Sequence, residues 1–60
     1  MQYQATIWHR TSKEAEFKPV RNFSVEAEEW STAQRLARNE AERVGFQPSF
    51  DYTHILLSTK

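Results

Sequence analysis

Residues 2–10 alternate in character: Tyr3, Ala5 and Ile7 are apolar and Gln4 and Thr6 between them are polar. A period of two predicts a strand with one buried face, from Gln2 to Arg10. Trp8 falls on the opposite face. A second alternation sets Phe23, Val25 and Ala27 against Asn22, Ser24 and Glu26, and predicts a second strand over about Val20–Ala27. The stretch between them, Thr11–Pro19, is polar and charged and reads as a long hairpin connection. Phe17 is its one large apolar residue and is expected to fold back on the edge of the core.

From Trp30 the period changes. Trp30, Ala33, Leu36/Ala37, Glu40/Ala41 and Val44 recur at three and four, which puts one apolar stripe on a helix with Gln34, Arg35, Arg38, Asn39 and Glu42 facing water. Ser31-Thr32-Ala33-Gln34 has the form of a capping box, and Glu28 and Glu29 stand at the positive end of the helix dipole. Gly45 is the sole glycine and falls where a left-handed C-cap is needed, with Phe46 placed to pack back on Ala41, so the helix should stop at Val44. Leu36 is the one large aliphatic residue between Trp30 and Val44. It is expected to anchor the stripe, its loss costing about 2–4 kcal/mol.

After Gln47-Pro48, residues Phe50–Ser58 read as a third strand with both faces apolar: Phe50, Tyr52 and Leu56 on one, Ile55 and Leu57 on the other. The order β-β-α-β with a right-handed crossover places the first strand in the middle. The expected fold is a small two-layer α+β domain, a three-stranded sheet of order 2-1-3 with one helix on one face and the other face open. No linker, repeat or low-complexity tract divides residues 1–60, so a single domain is expected. Six of the 23 apolar residues are alanine, leaving few large side chains for a core at the lower size limit for independent folding. Extra burial against a second copy or another protein would compensate.

Eight Lys+Arg against eight Asp+Glu give a formal net charge of zero, which removes the basic excess that drives binding to phosphate backbones. No apolar run reaches the roughly 18–20 residues of a membrane span, and MQYQATIWHR lacks the order of a signal peptide. With no cysteine there is no disulfide framework, which favours the cytoplasm. One glycine leaves no phosphate-cradling loop, and no nucleophile setting is recognisable, so neither an enzyme nor a cofactor is expected. Glu26, Glu28 and Glu29 cluster at the strand-to-helix junction, where complementing the helix dipole accounts for them better than a catalytic carboxylate pair does. His9 and His54 lie on strands expected to be neighbours, but with Asp51 or Glu26 they match no metal-ligand spacing, and no metal site is assigned.

The residues left for function are Trp8, Arg10, Tyr52, His54 and Leu56, expected around the open face as an interaction surface. Arg35, Arg38 and Arg43 on the outer side of the helix are candidate contacts for phosphate or an acidic partner, although Glu40 with Arg43 and Arg38 with Glu42 are spaced to pair with one another. An uncovered sheet face in a small domain points to a homodimer or a protein partner. Stacking of single-stranded nucleic acid on Trp8, Arg10, Tyr52 and His54 is the alternative. Residues 23–45, FSVEAEEWSTAQRLARNEAERVG, resemble a module of small phage- and plasmid-encoded accessory proteins, in which a strand ending Val-Glu-Ala leads into an alanine-rich amphipathic helix. The resemblance implies a short accessory protein of a mobile element. With the residue pattern, the expected function is that of a non-enzymatic interaction protein of phage or bacterial origin, acting through the open sheet face or the edge of the second or third strand as a homodimer or a binder of a host protein.

Overall fold

The alternating segments pair as their patterns require. In the computed structural model, which describes residues 1–59, β1 (Gln2–His9), β2 (Lys18–Glu26) and β3 (Thr53–Thr59) form one antiparallel sheet in the order β2-β1-β3, and α1 (Trp30–Arg43) covers one face. The expected fold class and strand order are both observed. Tyr3, Ala5 and Ile7 of β1 lie opposite Val25, Phe23 and Arg21 of β2, and opposite Thr59, Leu57 and Ile55 of β3. One row of side chains therefore crosses all three strands toward the helix. The register slips between Ile7 and Trp8, where Trp8 meets Pro19, so Val20 is an extra residue on β2. A proline and a bulge are both at home on an edge strand.

Two strand boundaries differ from the sequence reading by two residues or more, and the three strand ends by one. β2 begins at Lys18, two residues before the expected Val20, because Pro19 needs no hydrogen-bond partner on an outer strand. β3 begins at Thr53, and Phe50 and Tyr52 lie in the preceding turn, not on the strand. Ser49 forms an isolated bridge back to Thr53, which closes that turn before the ladder with β1 begins.

The helix departs from expectation in its phase and its start. Its buried residues are Ala33, Ala37 and Ala41, while Leu36 is 38% exposed and Trp30 45% exposed. The stripe that meets the sheet thus carries methyl groups alone. The bulk comes from the sheet: Tyr3, Ile7 and Val25 are buried, with Phe23, Ile55 and Leu57 packed around them. Leu36 lies about 100° round the axis from Ala37, so it flanks the core and does not anchor it. Ser31 is not an N-cap either. Glu29 holds that position with extended backbone and no side-chain cap, and its carbonyl accepts the first helical bond from the Ala33 amide at 3.0 Å. The edge-to-face contact of Trp30 with Tyr3, centroids 5.6 Å apart, fixes the first turn two residues earlier than a Ser31 cap would allow.

The other end matches the expectation. Phe46 N–H donates to the Ala41 carbonyl at 2.8 Å and Gly45 N–H to that of Glu42 at 3.1 Å, the two bonds of a Schellman motif. Gly45 has φ +96°, a conformation that side chains with a Cβ rarely adopt. Val44 is the C-cap, and the Phe46 ring meets His9 edge-on at 5.4 Å.

Candidate interaction surface

The face away from the helix is more polar than the strand patterns suggest. Gln2, Gln4, Thr6 and Trp8 of β1 stand between Glu26, Ser24 and Asn22 of β2 and Ser58, Leu56 and His54 of β3. Thr6 bonds Asn22 at 2.6 Å and Ser24 bonds Gln4 at 3.4 Å, so β1 and β2 share polar rows across this face. Among the described residues no extended apolar face exists here. Trp8 and Leu56 are its large apolar members, and Trp8 is only partly exposed.

Register places Trp8 beside His54, and Thr6 beside Leu56, so three of the five expected surface residues share this face. Arg10 and Tyr52 lie just beyond the strands, joined by a bond from the Arg10 amide to the Tyr52 carbonyl at 3.0 Å. The aromatic corner is already occupied by the chain itself. Phe17 stacks on His54, centroids 4.7 Å apart and planes within 20°, and the Arg10 guanidinium sits over Phe17 at 4.5 Å. Arg10 also donates to the carbonyls of Asp51 and Lys13, His54 Nε2 bonds the Phe50 carbonyl at 2.7 Å, and Lys13 approaches Asp51 at 3.8 Å. These contacts tie the Thr11–Phe17 connection to the turn before β3. The fold-back role expected of Phe17 is thus a stack on His54, and it takes up a ring face that a base would need.

The histidines are separated by the sheet. His9 faces the helix side, where its Nδ1 bonds the hydroxyl of the buried Thr53 at 2.9 Å, while His54, one residue further along β3, faces the other way. Among the described residues no three metal-ligating side chains come together. The three arginines of the helix do not converge. Arg43 is held by Glu40, whose carboxylate it pulls below the usual range through their hydrogen bond, and Arg21 across on β2 adds to that pull. Arg38 points instead toward β3, and Arg35 lies between the two flanks, facing water.

Among the described residues, three of the seven exposed large apolar side chains, Phe50, Tyr52 and Leu56, lie on β3 or in the turn before it, while Met1, Val20, Trp30 and Leu36 are spread over the rest of the fold. Leu56 is 57% exposed and Phe50 91%. A groove of about 460 Å³ runs along this edge, bounded by Gln34 and Arg38 of α1, the Pro48–Phe50 segment and Ile55–Leu57. The expected strand order already put β2 and β3 outermost, but periodicity could not show which way the β3 backbone turns, because that depends on pairing. The usable signal was composition: β2 contains Lys18, Pro19, Arg21 and Glu26, whereas residues 53–59 hold neither charge nor proline. No helix among the described residues is long and apolar enough to cross a membrane. Comparison with protein-family models, with curated proteins and with solved structures finds no match.

Proposed function

We propose that this chain is a small non-enzymatic interaction protein that binds a protein strand along the open edge of β3. The observation that carries the reading is the unequal treatment of the two sheet edges. Unpaired strand edges attract other strands, and folded proteins block them with charge, proline and bulges. β2 has all three, and β3, Thr53–Thr59, has none of them. A groove of mixed polar and apolar lining beside an unblocked edge suits β-augmentation, in which backbone bonds supply affinity and the groove receives alternate side chains. Use of the Trp8 corner for single-stranded nucleic acid fits less well, since Phe17 and the backbone carbonyls of Asp51 and Lys13 already engage His54 and Arg10.

The test is an amide-shift titration of the isotope-labelled chain with an unrelated strand-forming peptide, Thr-Val-Thr-Val-Thr, and separately with a single-stranded oligonucleotide. The expected result is shifts confined to β3 and its groove with the peptide, and none with the oligonucleotide. Peptide shifts absent or centred on β2, or a salt-sensitive oligonucleotide response at Trp8, would overturn the reading.

A further inference from the structure

We infer that the strand received at this edge is β3 of a second copy, paired antiparallel about a two-fold axis through Leu56, giving a six-stranded sheet. This rests on the β3-edge reading and names its partner. The backbone fixes what the edge offers. Thr53 exchanges both of its bonds with Ser49, at 3.0 and 3.1 Å, so its N–H and C=O point away from β1. Antiparallel ladders alternate in direction at each residue, so Ile55 and Leu57 present their amides and carbonyls outward in the same way.

The side chains make that edge complementary to itself. Residues 53–59 read Thr-His-Ile-Leu-Leu-Ser-Thr, nearly the same in either direction about Leu56. In the two-fold register Ile55 of each copy faces Leu57 of the other, exchanging both backbone bonds, and Leu56 meets Leu56 on the open face. Ile55 and Leu57 both face the helix side, so the two helices cover the same side of the joined sheet. Ser49 occupies the slot opposite Thr53 and ends the ladder, so the second strand leaves the edge after Ser58.

Charge and closure favour a second copy. The edge strand brings no charge to the contact, and a net charge of zero sets no long-range repulsion between copies. Arg38 at the groove rim is the local cation to be accommodated, and its long side chain can extend to water from there. Pairing β3 with β3 consumes both unblocked edges and leaves two β2 edges outside, each guarded by Lys18, Pro19 and the bulge. Such an assembly closes at two, whereas pairing β3 to β2 would propagate. The ladder is short, which places the buried area below about 1,200 Å², among weak and reversible contacts to be sought at about micromolar to millimolar concentration.

The experiment measures solution mass by sedimentation across that concentration range for the parent, Leu56→Lys and the β2 control Val20→Lys, and mild oxidation of Leu56→Cys and Val20→Cys. Leu56 is exposed in the single copy, so these changes spare the fold, which circular dichroism verifies. A reversible dimer in the parent and in Val20→Lys, weakened at least tenfold by Leu56→Lys, is expected. Residues facing each other at a non-hydrogen-bonded position have Cα atoms about 4.5 Å apart, within disulfide reach, and the chain has no other cysteine. Leu56→Cys should therefore crosslink as a dimer at concentrations where Val20→Cys does not. A parent that stays monomeric to millimolar concentration, or a dimer indifferent to Leu56→Lys, overturns the self-pairing. Peptide binding at β3 in a strictly monomeric chain would overturn self-pairing alone and leave the β3-edge reading intact.

Discussion

Two adjacent helix positions, Leu36 and Ala37, should respond to substitution in the opposite order to their size. Ala37 is fully buried in the core cluster that also holds Tyr3, Ala5, Val25 and Ala27, whereas Leu36 is more than a third exposed. Ala37→Leu adds an isopropyl group where helix and sheet already touch. Overpacking of this kind costs about 1–3 kcal/mol, because the helix must lift or the side chain must leave its rotamer. Leu36→Ala leaves a dent open to water and no closed cavity, so the cavity part of the usual penalty is missing, and alanine's helix propensity returns a few tenths of a kcal/mol. A loss of about 0.5–1 kcal/mol is expected. A domain of this length has about 3–9 kcal/mol of stability in all, and each kcal/mol moves the melting temperature by roughly 4–8 °C. Urea and thermal unfolding followed by circular dichroism, in the monomeric concentration range, separates the two. A loss of 2–4 kcal/mol in Leu36→Ala together with a tolerated Ala37→Leu would refute the assigned face and mean a helix rolled by about 100°.

Other positions give sharper local tests. Gly45→Ala should cost about 1 kcal/mol through backbone strain alone, since a Cβ there meets nothing within 4 Å and φ is +96°; an unchanged urea midpoint would contradict the left-handed cap. Thr53→Val strands His9 Nδ1 and should cost about 1–2 kcal/mol, while Thr53→Ser keeps the bond and should cost less, as read by urea unfolding. Phe17→Ala removes the platform between Arg10 and His54, so limited trypsin digestion should cut after Lys13 faster than in the parent, with equal rates contradicting a docked connection. The Glu40 carboxylate should titrate below the ordinary glutamate range by carboxyl NMR, and Arg43→Ala should return it upward. Because its folded pKa is depressed, the pair's contribution is present above the unfolded value and lost as pH falls through the folded one.

Strand identity and order were legible because period-two alternation survives on the face turned to the helix: Tyr3, Ala5 and Ile7 carry it on β1, and Phe23 and Val25 on β2. The helix end was equally legible, since one glycine in sixty residues at a stripe's terminus has few other uses. Helix phase was not. Leucine and tryptophan dominate any hydrophobicity-weighted stripe, yet the sheet supplies the bulk of this core, and the helix approaches with Ala33, Ala37 and Ala41. The apparent capping box at Ser31 failed for a related reason. Trp30 is held by Tyr3, and a tertiary contact outranks a cap worth about 1 kcal/mol.

The interaction surface was legible residue by residue but not as an arrangement. Alternation correctly separates Leu56 from Ile55 and Leu57 and puts Trp8 and His54 on one face, while their pairing is set by the register. It cannot show that Phe17 returns from a polar connection to cover His54, because that depends on Arg10 closing over Phe17 and reaching the Asp51 carbonyl. Nor can it show that Ser49 fixes the direction of the Thr53 backbone. That one bridge sets the parity of the whole edge: it turns Ile55 and Leu57 outward in their backbones while their side chains remain on the helix side. Apolar residues on both faces of Phe50–Ser58 thus acquire separate physical explanations, Ile55 and Leu57 as the flank of the core and Leu56 as the exposed centre of an edge without charge, proline or bulge. A strand buried on one face alone has no need of Leu56. The energetic cost of exposing it is what pairing about that residue would relieve.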